Sequence, residues 1–227
     1  MKLRTPFLST VISIIRKDFQ AELRSRELIG AMGMFALLSV LIFSFALELD
    51  RVARTESISG VLWVTVVFFS ILGLNRSMAM ERDQGNLDAL LIAPVSRSAI
   101  FCGKLIGNFV FTLVIALLLL PLMTILYNVM LISGWLLLVL IMGTFGFTTL
   151  GTLLAAMTAQ TRSREALLPI VMMPVVLPLL LSGVRASTSI MSAAPQSDWI
   201  QWVQIVAVLD VIYFTMCFLL FEYVVEE

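Results

Sequence analysis

The chain contains no histidine and only two cysteines, Cys102 and Cys217, among its 227 residues. The absence of histidine removes the commonest protein ligand of haem, zinc and copper, together with every Ser-His or Cys-His catalytic arrangement. The two cysteines lie far apart in the sequence and form no CxxC unit. They therefore indicate neither a metal site nor a disulfide framework.

Charge is also scarce. Charged residues make up 13% of the chain and hydrophobic residues 60%, with a mean hydropathy of +1.03. A soluble domain is normally about a quarter charged, so a water-soluble globule is excluded and lipid must be the solvent. The 15 Lys and Arg residues balance the 15 Asp and Glu residues, and this net charge gives no indication of nucleic-acid binding.

Uncharged runs predict six membrane spans, because a helix needs about 20 apolar residues to cross about 30 Å of hydrocarbon. The run 105–161 is too long for one crossing, and Tyr127-Asn128 and Ser133-Gly134 predict a break within it. The predicted spans are about 28–47, 57–75, 105–126, 135–158, 166–184 and 199–221. The fold class is therefore all-α: a polytopic membrane protein forming a single transmembrane domain over residues 1–227.

Residues 5–27 predict an amphipathic helix that lies on the membrane surface before the first span. Thr5-Pro6 is a suitable start for this helix. Its apolar face at helical spacing consists of Phe7, Val11, Ile14, Ile15, Phe19 and Leu23, and the opposite face is polar. The alternative is a helix that binds a soluble partner protein.

Lys and Arg residues are unevenly distributed between the two sides of the membrane. Twelve of the 15 fall on the side of the N-terminus, residues 76–104 and residues 160–165. The positive-inside rule therefore predicts that both termini are cytoplasmic. The tryptophans support the span boundaries, because all four fall near the outer ends of spans under this topology.

The sequence carries no recognisable catalytic constellation. Gly103-Lys104 is not a Walker A motif, because no glycine lies five positions before it and Leu105 follows. Paired intramembrane carboxylates and metal-ligand spacing are also missing. We therefore expect a non-catalytic membrane subunit that binds no metal.

The most informative polar segment is the stretch 76–104 on the predicted cytoplasmic side. Gly85-Asn86 can open a short helix with an apolar stripe that Pro94 ends, and Ser96 or Ser98 can then cap the third span. Such a helix suits a groove of a soluble partner, although resting on lipid headgroups is an equally good interpretation. The predicted contact residues are Glu81, Arg82, Asp83, Leu87, Asp88, Leu90, Leu91 and Pro94.

A second cytoplasmic segment, residues 160–165, offers Arg162, Arg164 and Glu165 as further contacts. The interpretation that the pattern favours here is a charge cluster that only sets the topology of the chain. The segment is therefore the weaker of the two candidate contact regions.

Inside the membrane, Asp210 is the only charge in the middle of a span. An isolated carboxylate there costs on the order of 3 kcal/mol, so it should face other helices or a wet cavity. It is either a pathway residue or a hydrogen-bonded packing contact.

Pro169, Pro174 and Pro178 predict a bent fifth span, which either moves or is a static kink. A stripe of small residues on the fourth span, which predicts close helix packing, comprises Thr144, Thr148, Thr152 and Ala156.

These segments together resemble the cytochrome c maturation protein B family, the haem exporter B permeases. The resemblance rests on three pieces of the sequence, KDFQAELRSRE, LNRSMAMERDQGNLDALLIAPVSRSAIFCGK and TLGTLLAAMTAQTRSREALLPIVMMPVVLPLLL. Their spacing and the six-span layout also agree, so the resemblance covers nearly the whole chain.

The resemblance implies the permease subunit of an ATP-binding-cassette complex in the bacterial inner membrane, with no nucleotide site of its own. The implied partners are a cytoplasmic ATPase (maturation protein A), a haem-handling membrane protein C, a small protein D and a periplasmic haem chaperone E. The segment 76–104 would be the coupling helix that contacts the ATPase. ATP is expected in that partner, and haem is the molecule that the complex handles.

The sequence leaves several alternatives open. A haem bound by this chain would need Met, Cys or Tyr ligands or apolar contact alone, so mechanical coupling is favoured over haem binding. The chain is otherwise a permease for a lipid, drug or glycan, or a membrane scaffold that transports nothing. Pairing with a second copy and pairing with a different membrane subunit are both compatible with the sequence.

Overall fold

The structure of the chain is a computed structural model that describes residues 6–47, 51–83, 95–158 and 164–224. The side chains of residues 51–56, 78–79, 81–83, 164–166 and 223–224 lie outside this description. The described residues form helices and no strands: α1 (Phe7–Ser25), α2 (Glu27–Ala46), α3 (Arg51–Asp83), α4 (Arg97–Tyr127), α5 (Gly134–Thr158), α6 (Arg164–Met191) and α7 (Gln196–Val224).

Six of these helices, α2 to α7, are long and apolar enough to cross a membrane. The prediction of an all-α polytopic membrane protein with six spans is therefore confirmed. The predicted break between the third and fourth spans is also observed. Helix α4 ends at Tyr127, Asn128 adopts a left-handed conformation with φ 54°, and α5 begins at Gly134. Ser133 Oγ accepts a hydrogen bond of 3.2 Å from the Leu136 amide and so caps α5.

Several helices extend beyond the spans expected from charge positions. Helix α4 begins at Arg97 rather than near 105, and α6 continues through Arg185 to Met191 rather than ending near 184. Helix α3 continues to Asp83, so both ends of the predicted stretch 76–104 belong to helices. The segment that connects α3 to α4 is therefore residues 84–96 only. The reason is that a long charged side chain near a membrane boundary can reach water without ending its helix.

The spans alternate in direction, which defines two ends of the bundle. We call the end at which residues 84–96 and 159–163 connect helices the near end, and the opposite end, with connections 128–133 and 192–195, the far end. Helices α3 and α5 are central, because 72% of the apolar segment of each is buried. Helices α2 and α7 are peripheral, with 22% and 28% buried.

Helix α1 lies against α4 at the near end. Some of its apolar side chains are buried against the protein, and others are exposed. Ile14 is buried and contacts Gly103 of α4, and Val11 is buried on the same side. Leu8, Ile12 and Leu23 remain exposed. The apolar residues of α1 therefore lie on two faces rather than on the single face predicted from spacing. One face packs on protein and the other is exposed. Pro6 occupies the N-cap position and makes no side-chain cap, while the expected cap Thr5 lies outside the described residues.

Candidate functional site

The predicted ATPase-contact residues fall mostly outside the part of the chain that the structure describes. The backbone at Glu81, Arg82 and Asp83 forms the last turn of α3. Residues outside the described ranges are Leu87, Asp88, Leu90, Leu91 and Pro94. Their assignment as a contact stripe therefore stays a prediction.

The second predicted contact region, residues 162–165, is also mostly outside the description, so its role stays a prediction. Arg162 lies outside the described ranges, and Arg164 and Glu165 are described only as the backbone of the first turn of α6. The structure nevertheless places the helix ends that flank the two connecting segments 84–96 and 159–163, at Asp83, Arg97, Thr158 and Arg164, at the same end of the bundle. A soluble partner at this end could therefore contact both.

A largely buried ion pair lies two turns into α4, and the sequence did not reveal it. Lys104 Nζ donates to Asp18 Oδ2 of α1 at 2.8 Å, and the Lys104 side chain is only 5% exposed. Lys104 had the appearance of a loop charge that marks a span boundary. Two sequence signals could have indicated the pair: an acidic residue within the amphipathic α1, and the spacing Gly103-x-x-x-Gly107 around Lys104, which is typical of close helix contacts.

The two glycines allow α1 to approach α4 closely. A Cβ at Gly103 would lie 2.9 Å from Ile14 Cβ, and a Cβ at Gly107 would lie 3.5 Å from Asp18 Oδ2. Phe19 and Phe111 then pack with ring centroids 4.9 Å apart one turn further on. Backbone proximity therefore brings the carboxylate of Asp18 onto the ammonium group of Lys104.

The junction between α1 and α2 is fixed by Glu22. Its carboxylate oxygens accept hydrogen bonds from the Ile29 amide at 2.8 Å and from the Leu28 amide at 3.3 Å, so it caps the start of α2. Arg26 takes a left-handed conformation with φ 54° between the two helices. Glu27, the first residue of α2, forms an ion pair with Arg76 near the end of the third helix. The start of α2 is thus held from both α1 and α3.

Asp210 lies halfway along α7 and faces α5 and α6. The residue is 8% exposed, and its Oδ1 has no hydrogen-bond partner among the described residues. Gly146 of α5 lies directly against this oxygen, and Leu179 of α6 is adjacent. The structure thus shows a carboxylate buried between helices, as expected, but without the hydrogen bond that a packing contact would use.

The three prolines Pro169, Pro174 and Pro178 lie inside α6, which is helical throughout its described length. Near them, the hydroxyl group of Tyr213 on α7 donates to the Val175 carbonyl at 2.7 Å. Ser182 donates to the Pro178 carbonyl at 2.8 Å. The first bond joins α7 to α6, and the second lies within α6. Neither accepting carbonyl lies four positions before one of these prolines, so the two bonds do not replace those that the prolines remove.

The small-residue stripe on α5 packs closely, as the sequence predicted. Thr144, Thr148 and Thr152 are fully buried. Thr144 and Thr148 donate to carbonyls of their own helix, whereas Thr152 accepts a 3.0 Å hydrogen bond from Asn108 of α4. These hydroxyl groups are satisfied within the bundle, so the stripe is a packing surface.

Trp63 of α3 joins that helix to α5 and α6 towards the far end. Its ring lies against Gly143 of α5 and Gly183 of α6, where a side chain on either glycine would overlap it. Its indole N–H donates to Ser187 Oγ of α6 at 3.0 Å. A second hydrogen bond joins Ser59 and Thr188 of the same helix pair. No sequence pattern marked Trp63 for this role.

Within the described ranges, no group of three or more Cys, Asp and Glu residues is arranged to hold a metal ion. Six helices that are long and apolar enough to cross a membrane, with polar contacts between them, define a multi-pass all-α membrane protein. The family model described as CcmB protein matches residues 9–223. The chain belongs to the CcmB family.

Three relatives named Heme exporter protein B match most of the chain. The chain is similar to the Heme exporter protein B of Rhodobacter capsulatus, with 27% identity over 172 residues covering 75% of this chain and 79% of the relative. It is 24% identical to that of Bradyrhizobium diazoefficiens, covering 81% of this chain and 83% of the relative. The Paracoccus denitrificans relative is 25% identical, covering 77% and 80%.

Proposed function

We propose that this chain is the membrane permease subunit of an ATP-binding-cassette complex that exports haem for the assembly of c-type cytochromes. The observation that carries the proposal is the family match over residues 9–223, supported by relatives named Heme exporter protein B. The chain itself has no nucleotide-binding motif, so ATP is hydrolysed by a separate cytoplasmic ATPase, maturation protein A. Proteins C, D and E of the same system complete the complex.

The proposed orientation has the near end in the cytoplasm of a bacterial cell and the chain in the inner membrane. Twelve of the 15 Lys and Arg residues belong to the N-terminal segment and the two near-end connections or the helix ends that flank them. The positive-inside rule then places both termini in the cytoplasm. The ATPase reaches residues 81–94 from that side, with residues 162–165 as a second contact.

Closure of the ATPase on ATP displaces the segment between α3 and α4, and the helices rearrange in response. Haem is the substrate of the complex, and this chain contributes coupling rather than axial ligands. Two features support this division. The chain has no histidine, and three of its buried polar contacts join helix to helix: Trp63–Ser187, Lys104–Asp18 and Asn108–Thr152.

Co-purification with the ATPase tests the proposal. Charge reversal at Arg82 or Asp88 is expected to reduce the ATPase recovered with the tagged chain and to lower cytochrome c maturation in parallel. Arg185→Glu is the matched control, because Arg185 is an exposed cation at the far end of α6. Wild-type recovery of the ATPase with both loop variants would contradict the proposed contact. Full maturation with a hydrolysis-inactive ATPase would instead support a membrane scaffold.

A further inference from the structure

We propose that α1 transmits movement of the near end of α4 to the start of α2, with Asp18 and Lys104 as the positioning residues of this connection. The inference rests on the proposed function, since the movement begins where the ATPase contacts residues 81–94, between α3 and α4. Helix α4 starts directly after that segment, and Lys104 lies two turns into it. The first turns of α4 contact α7, where Arg97 donates to the Glu222 carbonyl at 3.2 Å, and the Asp18–Lys104 pair is the ion pair through which α4 is joined to α1.

The connection between α4 and α1 is specific in position. Lys104 Nζ and Asp18 Oδ2 are 2.8 Å apart in a buried setting, and Gly103 and Gly107 bring the two backbones together on either side. An ion pair this far removed from water favours one register of the two helices, because separating the Lys104 ammonium group from the Asp18 carboxylate gives up a close contact that water cannot readily replace. The first turns of α4 and the middle of α1 are therefore expected to move together.

The connection between α1 and α2 is equally short. Glu22 lies one turn after Asp18 and caps α2 with both carboxylate oxygens, while the Arg26 amide donates to the Glu22 carbonyl at 2.7 Å. A displacement of α1 therefore reaches the first turn of α2 without passing through a flexible linker. The Glu27–Arg76 ion pair adds a link from α3, so both helices that flank residues 84–96 are joined to the start of α2.

Helix α2 is also the span that can move with the least repacking of the bundle. Only 22% of its apolar segment is buried, and Met34, Leu38 and Ile42 face away from the bundle. Lipid chains can rearrange around this surface, whereas displacement of α3 or α5 would disrupt the closely packed core. The path from α4 through α1 therefore ends at the span with the smallest buried share.

The first experiment separates coupling from assembly. The complex with its ATPase is purified, placed in vesicles and tested for ATP hydrolysis and for ATP-dependent delivery of haem to the acceptor protein. Asp18→Ala is expected to bind the ATPase and hydrolyse ATP at wild-type rates but to deliver haem at least about fivefold more slowly, the lower end of typical coupling effects. Lys104→Met should behave alike. Wild-type delivery by both variants would overturn the inference.

A covalent link tests the same connection where the single variants assemble poorly. The Cβ of Asp18 lies 4.0 Å from the position that a Cβ on Gly107 would take. Disulfides join Cβ atoms about 3.5–4.5 Å apart. The test chain carries Asp18→Cys, Gly107→Cys and Lys104→Met, with Cys102→Ser and Cys217→Ala to remove the native thiols. Oxidation should restore haem delivery to within about twofold of wild type, and reduction should abolish the gain, because the disulfide replaces the ion pair mechanically.

The matched control lacks only Gly107→Cys and should not respond to oxidation. A second control, Gly107→Cys alone in the thiol-free background, checks that this position accepts a side chain. An oxidised test chain that is no more active than its reduced form would overturn the inference. A wild-type chain that neither binds nor couples to an ATPase would overturn the proposed function, and the inference with it, so the two failures are distinguishable.

Discussion

Gly146 of α5 lies directly against the carboxylate of Asp210 in α7, in space that a side chain at position 146 could not share. The unpartnered Oδ1 of Asp210 is the atom nearest to the missing Cβ. This contact explains why a small residue is needed at the middle of α5, and it links the interior charge to the packing of a central helix. It also makes the two residues testable as a pair.

Gly146→Ala is expected to destabilise the protein, because its methyl group would overlap a carboxylate between packed helices. Overpacking of this kind typically costs about 1–3 kcal/mol. The measurement is the unfolding midpoint of the purified protein in detergent, followed by tryptophan fluorescence. Gly60→Ala is the matched control, since nothing lies within 4 Å of a Cβ there, and it should leave the midpoint unchanged or raise it.

Adding Asp210→Ala to Gly146→Ala should recover much of the lost stability, because it removes the overlapping oxygen. The double variant then has a coupling energy that independent sites do not show. Equal and additive losses in the two single variants would contradict the contact. A Gly146→Ala midpoint as high as that of Gly60→Ala would do so as well.

The functional role of Asp210 is tested by a substitution that preserves its shape. Asp210→Asn fills the same space with an uncharged group, so the variant should accumulate in membranes at the wild-type level. If the carboxylate belongs to the pathway, maturation of c-type cytochromes should fall several-fold despite normal accumulation. Full maturation with Asp210→Asn would show that the residue only packs against Gly146.

Much of this architecture follows from the sequence, because burial in lipid imposes a simple pattern on each span. Uncharged runs indicate the spans, and turn-forming residues at Tyr127-Asn128 and Ser133-Gly134 divide the longest run into two, which makes six spans in all. These signals are local. They depend on hydropathy and on backbone preferences of a few neighbouring residues.

The contacts that hold the helices together could not be predicted in the same way. Lys104 resembled a boundary charge because its partner Asp18 lies 86 positions earlier, and only the packing of α1 on α4 brings them together. The threonine stripe on α5 predicted close packing. The contact between Asp210 and Gly146 depends instead on which helix packs beside α5, and on how far the two helices are shifted along their axes. Neither of these can be predicted from the sequence of one helix alone.

The hydrogen bond between Trp63 and Ser187 should contribute measurably to the association of α3 with α6. Ser187→Ala removes the acceptor and is expected to lower the free energy of unfolding by about 1 kcal/mol. Trp63→Phe removes the indole donor together with ring atoms that pack on Gly143 and Gly183, so its loss should be larger. The double variant should lose less than the sum, since both changes delete one bond. Strictly additive losses in the unfolding midpoint would contradict the contact. Thr215→Ala is a suitable control, because that exposed hydroxyl group bonds only within α7.

The orientation of the chain in the membrane is tested with single cysteines in a background carrying Cys102→Ser and Cys217→Ala. Ser25→Cys is exposed at the near end, and Met130→Cys lies at the far end, where the native side chain is 86% exposed. In intact cells whose outer membrane has been made permeable, a membrane-impermeant maleimide should label Met130→Cys and leave Ser25→Cys unlabelled. Ser25→Cys should react once the inner membrane is disrupted. The reverse pattern would place the ATPase-contact segment outside the cytoplasm, and an ATP-driven coupling role would then be physically impossible.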